Sequence, residues 1–144
     1  MDRLLDQATT GPRYLRQPEI AQIVTDALIH GSLHQYELHA WVVMPNHVHI
    51  LITPNVPLAK ITKSLKGFTA RKANLILKLS GKPFWQQEFY DHEVLNDIEF
   101  DKIVAYIENN PVRAGLSATP DAFRWSSGSG TWTSRAGLET HPTL

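Results

Sequence analysis

The sequence predicts one domain that mixes helices with strands, and three observations support this. An apolar run that passes through Pro45-Asn46 into a strict alternation predicts a β-hairpin over 35–53. An aromatic-rich run predicts a further strand over 84–95. Apolar residues at helical spacing predict three helices, the first over 18–30, the second over 58–80 and the third from Asn96 or Asp97 to Asn110. A chain of 144 residues can build one core.

The ends of these elements follow from local signals. Pro18 suits the first turn of a helix, and Gly81 is placed to end the second helix. That helix is expected to pack along one side through Leu58, Ile61, Leu65, Phe68, Leu75, Ile76 and Leu79. The third helix is expected to stop near Asn110 because Pro111 disfavours helical geometry in the residue before it.

Both ends of the chain are weakly patterned. No convincing strand is visible in residues 1–17, where Thr9-Thr10-Gly11-Pro12 indicates a loop. We therefore place the domain at 1–127, and predict that 128–144, rich in Ser, Thr and Gly, forms a flexible tail.

Composition excludes several classes of protein. The chain has no cysteine, which rules out disulfides and thiolate metal sites. It has no apolar run of the roughly 20 residues that a membrane span needs and no signal-peptide pattern, so we expect a cytoplasmic protein.

The basic residues are unevenly distributed, although the net charge is zero. No Asp or Glu lies between Glu37 and Glu88, and half of all Lys and Arg residues fall in this gap. We expect a positive surface beside His47 and His49 that binds a polyanion such as a phosphate backbone. The alternative is a solvated helix face that happens to be basic.

His47 and His49 are two residues apart on a predicted strand, so their side chains share one face. Both imidazoles can then converge on one metal ion, and the apolar second face of the strand makes the scaffold rigid. The alternative is a pair of partly exposed histidines without a ligand.

Tyr106 and Asn110 are four residues apart and share one helix face. Two imidazoles and a carboxamide oxygen suit Mg²⁺ or Mn²⁺, and a nearby tyrosine hydroxyl can act as a nucleophile on a phosphodiester. Tyr106 could instead be a boundary residue with its hydroxyl in water. Tyr90 is the rival nucleophile, with His92 as an additional polar group, although sheet packing also explains both.

An ordered set of motifs carries a family resemblance across residues 13–127. The set comprises Pro45-Asn46-His47-Val48-His49-Ile50-Leu51, Lys66-Gly67-Phe68-Thr69-Ala70, Trp85-Gln86, Tyr90-Asp91-His92, Tyr106-Ile107-Glu108-Asn109-Asn110-Pro111, Val112-Arg113-Ala114-Gly115-Leu116 and Trp125-Ser126-Ser127. The chain resembles the single-tyrosine HUH transposases, in particular the IS200-like and REP-associated tyrosine transposases. The resemblance implies a ferredoxin-like α+β fold, with helices packed on an antiparallel sheet.

The resemblance also implies a function. His47, His49 and Asn110 would be metal ligands, and Tyr106 would attack single-stranded or hairpin DNA to give a 5′-phosphotyrosine and a free 3′-hydroxyl. DNA contacts are expected from Lys60, Lys63, Lys66, Arg71, Lys72 and Arg113, in a monomer or a homodimer. The cytoplasmic protein would be nucleoid-associated when bound to DNA. Family members begin with a strand that we do not find in 1–17, so the sheet could lack one member. The alternative function is therefore an inactive or truncated relative that binds DNA hairpins without cutting them.

Overall fold

A computed structural model describes residues 1–11, 13–78 and 83–130, which form seven regular elements and two short 3₁₀ turns. The strands are β1 (Arg3–Thr9), β2 (Tyr36–Val43), β3 (His47–Pro54) and β4 (Trp85–Glu93). The helices are α1 (Pro18–Gly31), α2 (Leu58–Leu77) and α3 (Asp97–Arg113). The predicted hairpin, aromatic strand and three helices are therefore all present.

The four strands form one antiparallel sheet in the order β2-β3-β1-β4. With the chain order β1-α1-β2-β3-α2-β4, this is the ferredoxin-like α+β fold that the sequence implied. The histidine strand β3 is central, because it pairs with β2 on one side and with β1 on the other.

Strand β1 corrects the expectation that the first strand is missing. It pairs with β3 and with β4, and so lies inside the sheet. This strand has no clear pattern in the sequence, because Leu4 and Leu5 are adjacent and because Asp6 interrupts the apolar alternation on one face. Pairing with β3 and β4 supplies the backbone hydrogen bonds that stabilise this strand. A local sequence pattern does not indicate such pairing.

The two faces of the sheet carry different helices. Val48, Ile50 and Ile52 of β3 pack into the larger core, together with α1 and α2. On the other face, Leu51 packs with Ile107 of α3 in a smaller core. His47 and His49 alternate along β3 with Val48, Ile50 and Ile52, so they lie on the face that α3 covers.

This arrangement corrects the expected position of the basic helix. We expected its positive surface to lie beside the histidines, whereas α2 packs on the opposite face of the sheet. Successive side chains of a strand point to opposite faces of the sheet. The residues of β3 that pack against α2 therefore point away from the histidines.

Helix α2 also packs differently from the predicted stripe. Its buried residues are Ile61, Thr69 and Ala73, spaced four or eight apart. Leu75 is 80% exposed and Ile76 is 44% exposed, because both lie outside that stripe. The helix ends at Leu77 with Lys78 in the left-handed conformation, before the predicted end at residue 80. Leu79 and Gly81 lie outside the described residues.

Helix α3 continues past its predicted end at Asn110. At its N-terminus, the N-cap Asn96 accepts a hydrogen bond from the amide of Glu99, and the carboxylate of Glu99 accepts one from the amide of Leu95. Pro111 lies in the last turn and is buried. Only one intrahelical hydrogen bond is missing there, so the helix can include the proline and run to Arg113.

The segment 125–127 lies against the outer side of β2. The backbone amide of Ser127 donates to Trp41 (2.8 Å), and the amide of Val43 donates to Trp125 (2.8 Å). Of the predicted tail, 128–130 is described and 131–144 lies outside the described residues. No described helix is both long and apolar enough to span a bilayer.

Candidate metal and tyrosine site

Strand β3 places the two histidine rings side by side on the face covered by α3. Their centroids are 4.5 Å apart, with the rings nearly perpendicular. His49 is 7% exposed, whereas His47 is half-buried at the end of the strand. The pleat therefore brings together the two side chains that the sequence spacing predicted would converge.

Each imidazole is held through its Nδ1 atom. His49 Nδ1 contacts Asp6 Oδ1, from the position directly opposite on β1. His47 Nδ1 is 2.7 Å from Asn46 Oδ1. Both partners are oxygen acceptors, so Nδ1–H is the donor in each ring and the lone pair lies on Nε2.

Two buried polar atoms near this face have no partner among the described residues. They are His49 Nε2 and the side-chain nitrogen of Asn110. A buried nitrogen without a hydrogen bond is costly unless something else binds it. Asn110 can present either its oxygen or its nitrogen by rotating the amide.

The imidazole Nε2 atoms are the kind of ligand that a divalent cation accepts, whereas Asn110 could contribute only through its amide oxygen. Metal-bound histidines characteristically donate their second N–H to a carboxylate or another acceptor, as both do here. No group of three or more His, Cys, Asp or Glu side chains suited to a metal occurs among the described residues. A third ligand of another type is the carboxamide oxygen of Asn110, which is a candidate from its position on α3, one turn after Tyr106.

Tyr106 of α3 lies over the buried histidine. Its ring centroid is 5.8 Å from that of His49, in an edge-to-face arrangement. The residue is 43% exposed, so it is accessible from solvent. The guanidinium of Arg113 lies over the Tyr106 ring, 5.1 Å from its centroid. The helix thus brings a phenol and a cation to the paired imidazoles.

Burial lowers the pKa of His47 below its ordinary value, and the neighbouring His49 lowers it further, against a smaller opposing effect of Asp6. A depressed pKa keeps the imidazole neutral at neutral pH. A neutral imidazole is the form that binds a metal.

Tyr90 and His92 lie on the same face, further along the sheet on β4. Tyr90 is directly opposite Asp6 in the β1–β4 register and is 55% exposed. Its ring stacks on His92, with centroids 6.2 Å apart. His92 Nε2 is 3.1 Å from a carboxylate oxygen of Glu99. His92 therefore already has a partner at the start of α3, while Tyr90 remains accessible.

The predicted DNA-binding residues fall into two groups. Lys60, Lys63, Arg71 and Lys72 are exposed on α2 and Lys66 is half-buried there, all on the side of the sheet away from the histidines. Arg113 is on the histidine side. The structure does not bring the two groups together.

Residues 18–110, which include both histidines and Tyr106, match a family model described as "Transposase IS200 like". The chain belongs to the IS200-like transposase family. The motif match of the sequence and the family assignment agree.

Individual relatives of this IS200-like protein share limited sequence identity with it. It is 30% identical over 84 residues to a REP-associated tyrosine transposase of Escherichia coli K12, covering 56% of this chain and 47% of the relative. The chain thus spans about half the length of that curated relative.

Two solved structures share the fold. A REP-associated tyrosine transposase bound to a REP hairpin superposes with a TM-score of 0.71 at 22% identity, over 88% of this chain and 75% of that one. A candidate transposase from Deinococcus radiodurans R1 gives 0.55 at 27% identity, over 76% and 89% of the two chains.

Asp6 is the residue that the sequence reasoning missed. Asp6 is brought to His49 by the pairing of β1 with β3, and the sequence of β1 has no clear strand pattern. The available signal was Asp6 between Leu4 and Ala8 on one face of the strand, since a polar residue on a covered face requires a partner.

Proposed function

We propose that this IS200-like protein cuts and rejoins single-stranded DNA through a covalent 5′-phosphotyrosine on Tyr106. The observation that carries the proposal is the pair of histidines whose Nδ1 atoms are both engaged and whose more buried Nε2 has no partner, next to an accessible phenol. Family membership favours the same reaction class.

The proposed cleavage is a transesterification. The Tyr106 oxygen bonds to phosphorus and its proton passes to solvent, while the bond from phosphorus to the 3′-oxygen breaks and that oxygen takes up a proton. Rejoining is the reverse reaction, in which a 3′-hydroxyl attacks and the phenol leaves. One phosphodiester is exchanged for another of similar energy, so no nucleotide cofactor is needed.

His47, His49 and the carboxamide of Asn110 would hold the divalent ion, Mg²⁺ or Mn²⁺, which when bound polarises a phosphoryl oxygen. Asp6 and Asn46 orient the two rings. Arg113, beside Tyr106, is placed to offset the negative charge that develops on the phosphate.

We propose folded single-stranded DNA as the partner. The similar solved protein is described as bound to a REP hairpin, and the exposed basic residues of α2 give this chain a surface for a phosphate backbone. Because α2 and the histidines lie on opposite faces, such DNA would have to contact both sides of the sheet.

The test is covalent capture. A labelled hairpin oligonucleotide with a single-stranded extension is incubated with the protein and Mn²⁺, then run on a denaturing gel. The proposal predicts a shifted band that disappears with EDTA. Hairpin binding without any adduct would instead support the alternative, a protein that binds DNA and does not cut it.

A further inference from the structure

His30 and His34 form a second pair of imidazoles, apart from the pair on β3. Their ring centroids are 5.6 Å apart, and the rings meet edge to face. His30 lies in the last turn of α1 and His34 four residues further along the chain, on the side of the sheet away from His47. Two imidazoles that share one tetrahedral ion bring their centroids to roughly 5 Å, given metal–nitrogen distances of about 2 Å. The observed spacing therefore suits one shared cation.

Both rings have nitrogen atoms available for a ligand. Each of the two residues is exposed, and neither has an ion pair or a side-chain hydrogen bond with another described residue. The other histidines in the described part of the chain each contact a side-chain oxygen, and they are His39, His47, His49 and His92. A neutral imidazole whose lone pair is not engaged is a good metal ligand.

The turn that carries His34 is fixed against the end of α1. The amide of Gln35 donates to Gly31 (2.9 Å), and the hydroxyl of Tyr36 donates to Leu28. A Cβ atom at Gly31 would lie 2.5 Å from that hydroxyl oxygen, so the close approach requires glycine. These contacts fix the backbone on both sides of the pair, so a metal ion would not have to order the chain in order to bind.

A cavity of about 250 Å³ lies between the end of α1 and α2, and both histidines line it. A water molecule occupies about 30 Å³ in the liquid, so the cavity admits an ion with several waters. Gln35 and Ser64 also line it, and the amide nitrogen of Gln35 donates to the Ser64 hydroxyl (3.3 Å). The amide oxygen of Gln35 is then a third candidate ligand. No group of at least three His, Cys, Asp or Glu side chains suited to a metal occurs within residues 1–11, 13–78 and 83–130, so that oxygen or water would complete the coordination.

The charge around the pair favours a cation. The carbonyl end of α1 carries the partial negative charge of the helix dipole. Asp26 lies one turn before His30 on the same helix face, and its carboxylate accepts from Gln22 (2.6 Å). On the facing helix α2, the exposed Lys60 and Lys63 are outside the cavity lining.

We propose that His30 and His34 together bind one divalent transition-metal ion of the class that prefers imidazole, namely Zn²⁺, Ni²⁺ or Cu²⁺. Mn²⁺ is the weakest binder in this series and Mg²⁺ prefers oxygen ligands, so neither should occupy the pair. The site therefore differs in metal preference from the proposed site on β3. It is independent of the proposed function, because neither histidine belongs to the face that carries Tyr106.

The test measures Ni²⁺ binding by isothermal titration calorimetry. The full chain carries His47→Ala and His49→Ala, which remove the β3 pair, so that only the second site is observed. We expect one Ni²⁺ ion per chain. His30→Gln or His34→Gln in this background should weaken binding about 100-fold, because the second imidazole of a pair binds the ion intramolecularly. Ni²⁺ should also raise the thermal midpoint of the background protein and not that of either glutamine variant.

The matched control is His39→Gln, at a histidine that already contacts the Thr53 hydroxyl (2.6 Å), and it should keep the Ni²⁺ affinity of the background. The same two glutamine substitutions are made in the parent chain with both β3 histidines present. There the number of bound Ni²⁺ ions should fall by one, so the test does not depend on the folding of the double alanine background.

Four outcomes would overturn the inference: no Ni²⁺ binding by a folded background protein, unchanged affinity in both glutamine variants, equal weakening by His39→Gln, or Mn²⁺ binding at this pair as tight as that of Ni²⁺. Covalent capture with Mn²⁺ should be unaffected by His30→Gln, because that reaction would use the other face of the sheet. Failure of one proposal is therefore distinguishable from failure of the other.

Discussion

The carboxylate of Asp6 contacts Nδ1 of His49 across the β1–β3 pair, and Nε2 of the same ring is buried without a partner among the described residues. The contact fixes the tautomer in which Nε2 carries the lone pair. The strand that the sequence concealed therefore orients the more buried of the two candidate ligands.

Replacing Asp6 should weaken metal binding without unfolding the sheet. We expect Asp6→Ala to reduce Mn²⁺ affinity about 10- to 100-fold, the usual cost of removing the partner of a metal-bound histidine. Asp6→Asn should cost less, because its carbonyl oxygen still accepts from Nδ1–H. The free Mn²⁺ signal in electron paramagnetic resonance measures the affinity. Asp91→Ala, which removes a carboxylate paired with Arg3, is the control. Equal affinity in all three variants would contradict this role.

Replacing either histidine should separate cutting from binding. His47→Ala and His49→Ala are expected to abolish cleavage and Mn²⁺ binding while hairpin affinity stays near the parental value, because the basic surface of α2 lies on the opposite face. Gel shifts and cleavage assays on one hairpin measure both properties. His34→Ala, at an exposed histidine away from β3, should change neither. A folded His49→Ala protein that no longer binds hairpins would refute this division.

The basic surface of α2 should determine the salt dependence of hairpin binding. Lys60→Gln combined with Lys63→Gln is expected to lower the slope of log affinity against log salt by about 0.9 for each duplex phosphate that is no longer neutralised. The charge-conserving pair Lys60→Arg and Lys63→Arg should keep the parental slope. Titrations at several salt concentrations measure it. An unchanged slope in the glutamine variant would place the DNA elsewhere.

The segment after α3 should contribute to stability through Ser127. Its buried hydroxyl accepts from the amide of Trp41 (2.9 Å) and donates to a carboxylate oxygen of Glu108 (2.9 Å). Ser127→Ala removes both of these buried hydrogen bonds, so the free energy of unfolding should fall by about 1–3 kcal/mol. Urea denaturation measures the change. Ser117→Ala, at an exposed hydrogen bond, should have a much smaller effect. Equal stability of both variants would argue against a domain that extends through Ser127.

The sequence predicted the elements whose patterns are local. The alternation in β3 reports burial of one face, so it predicted both the hairpin and the shared face of His47 and His49. The helical spacing of α1 likewise gave nearly correct bounds. Such patterns are legible because each depends on the chain within a few residues.

The errors came from interactions that are distant in sequence. Strand β1 is stabilised by two neighbouring strands, and its most informative residue, Asp6, breaks the apolar pattern because it contacts His49. The position of α2 depends on which face of β3 its apolar residues pack against. The charges of Lys60 and Lys63 do not indicate which face that is. Pro111 was interpreted as a helix end, whereas its burial in the last turn offsets the missing hydrogen bond.

The central claim is that Tyr106 is the nucleophile, and mapping the site of the covalent bond tests it most directly. The DNA adduct formed with Mn²⁺ is digested with protease and nuclease, and the modified peptide is sequenced by mass spectrometry. Tyr90→Phe serves as the matched control, since Tyr90 is an exposed tyrosine on the same face. We predict a nucleotide linked through its 5′-phosphate to Tyr106. This adduct should be absent in Tyr106→Phe and retained in Tyr90→Phe. An adduct on Tyr90, or one that persists in Tyr106→Phe, would contradict the account.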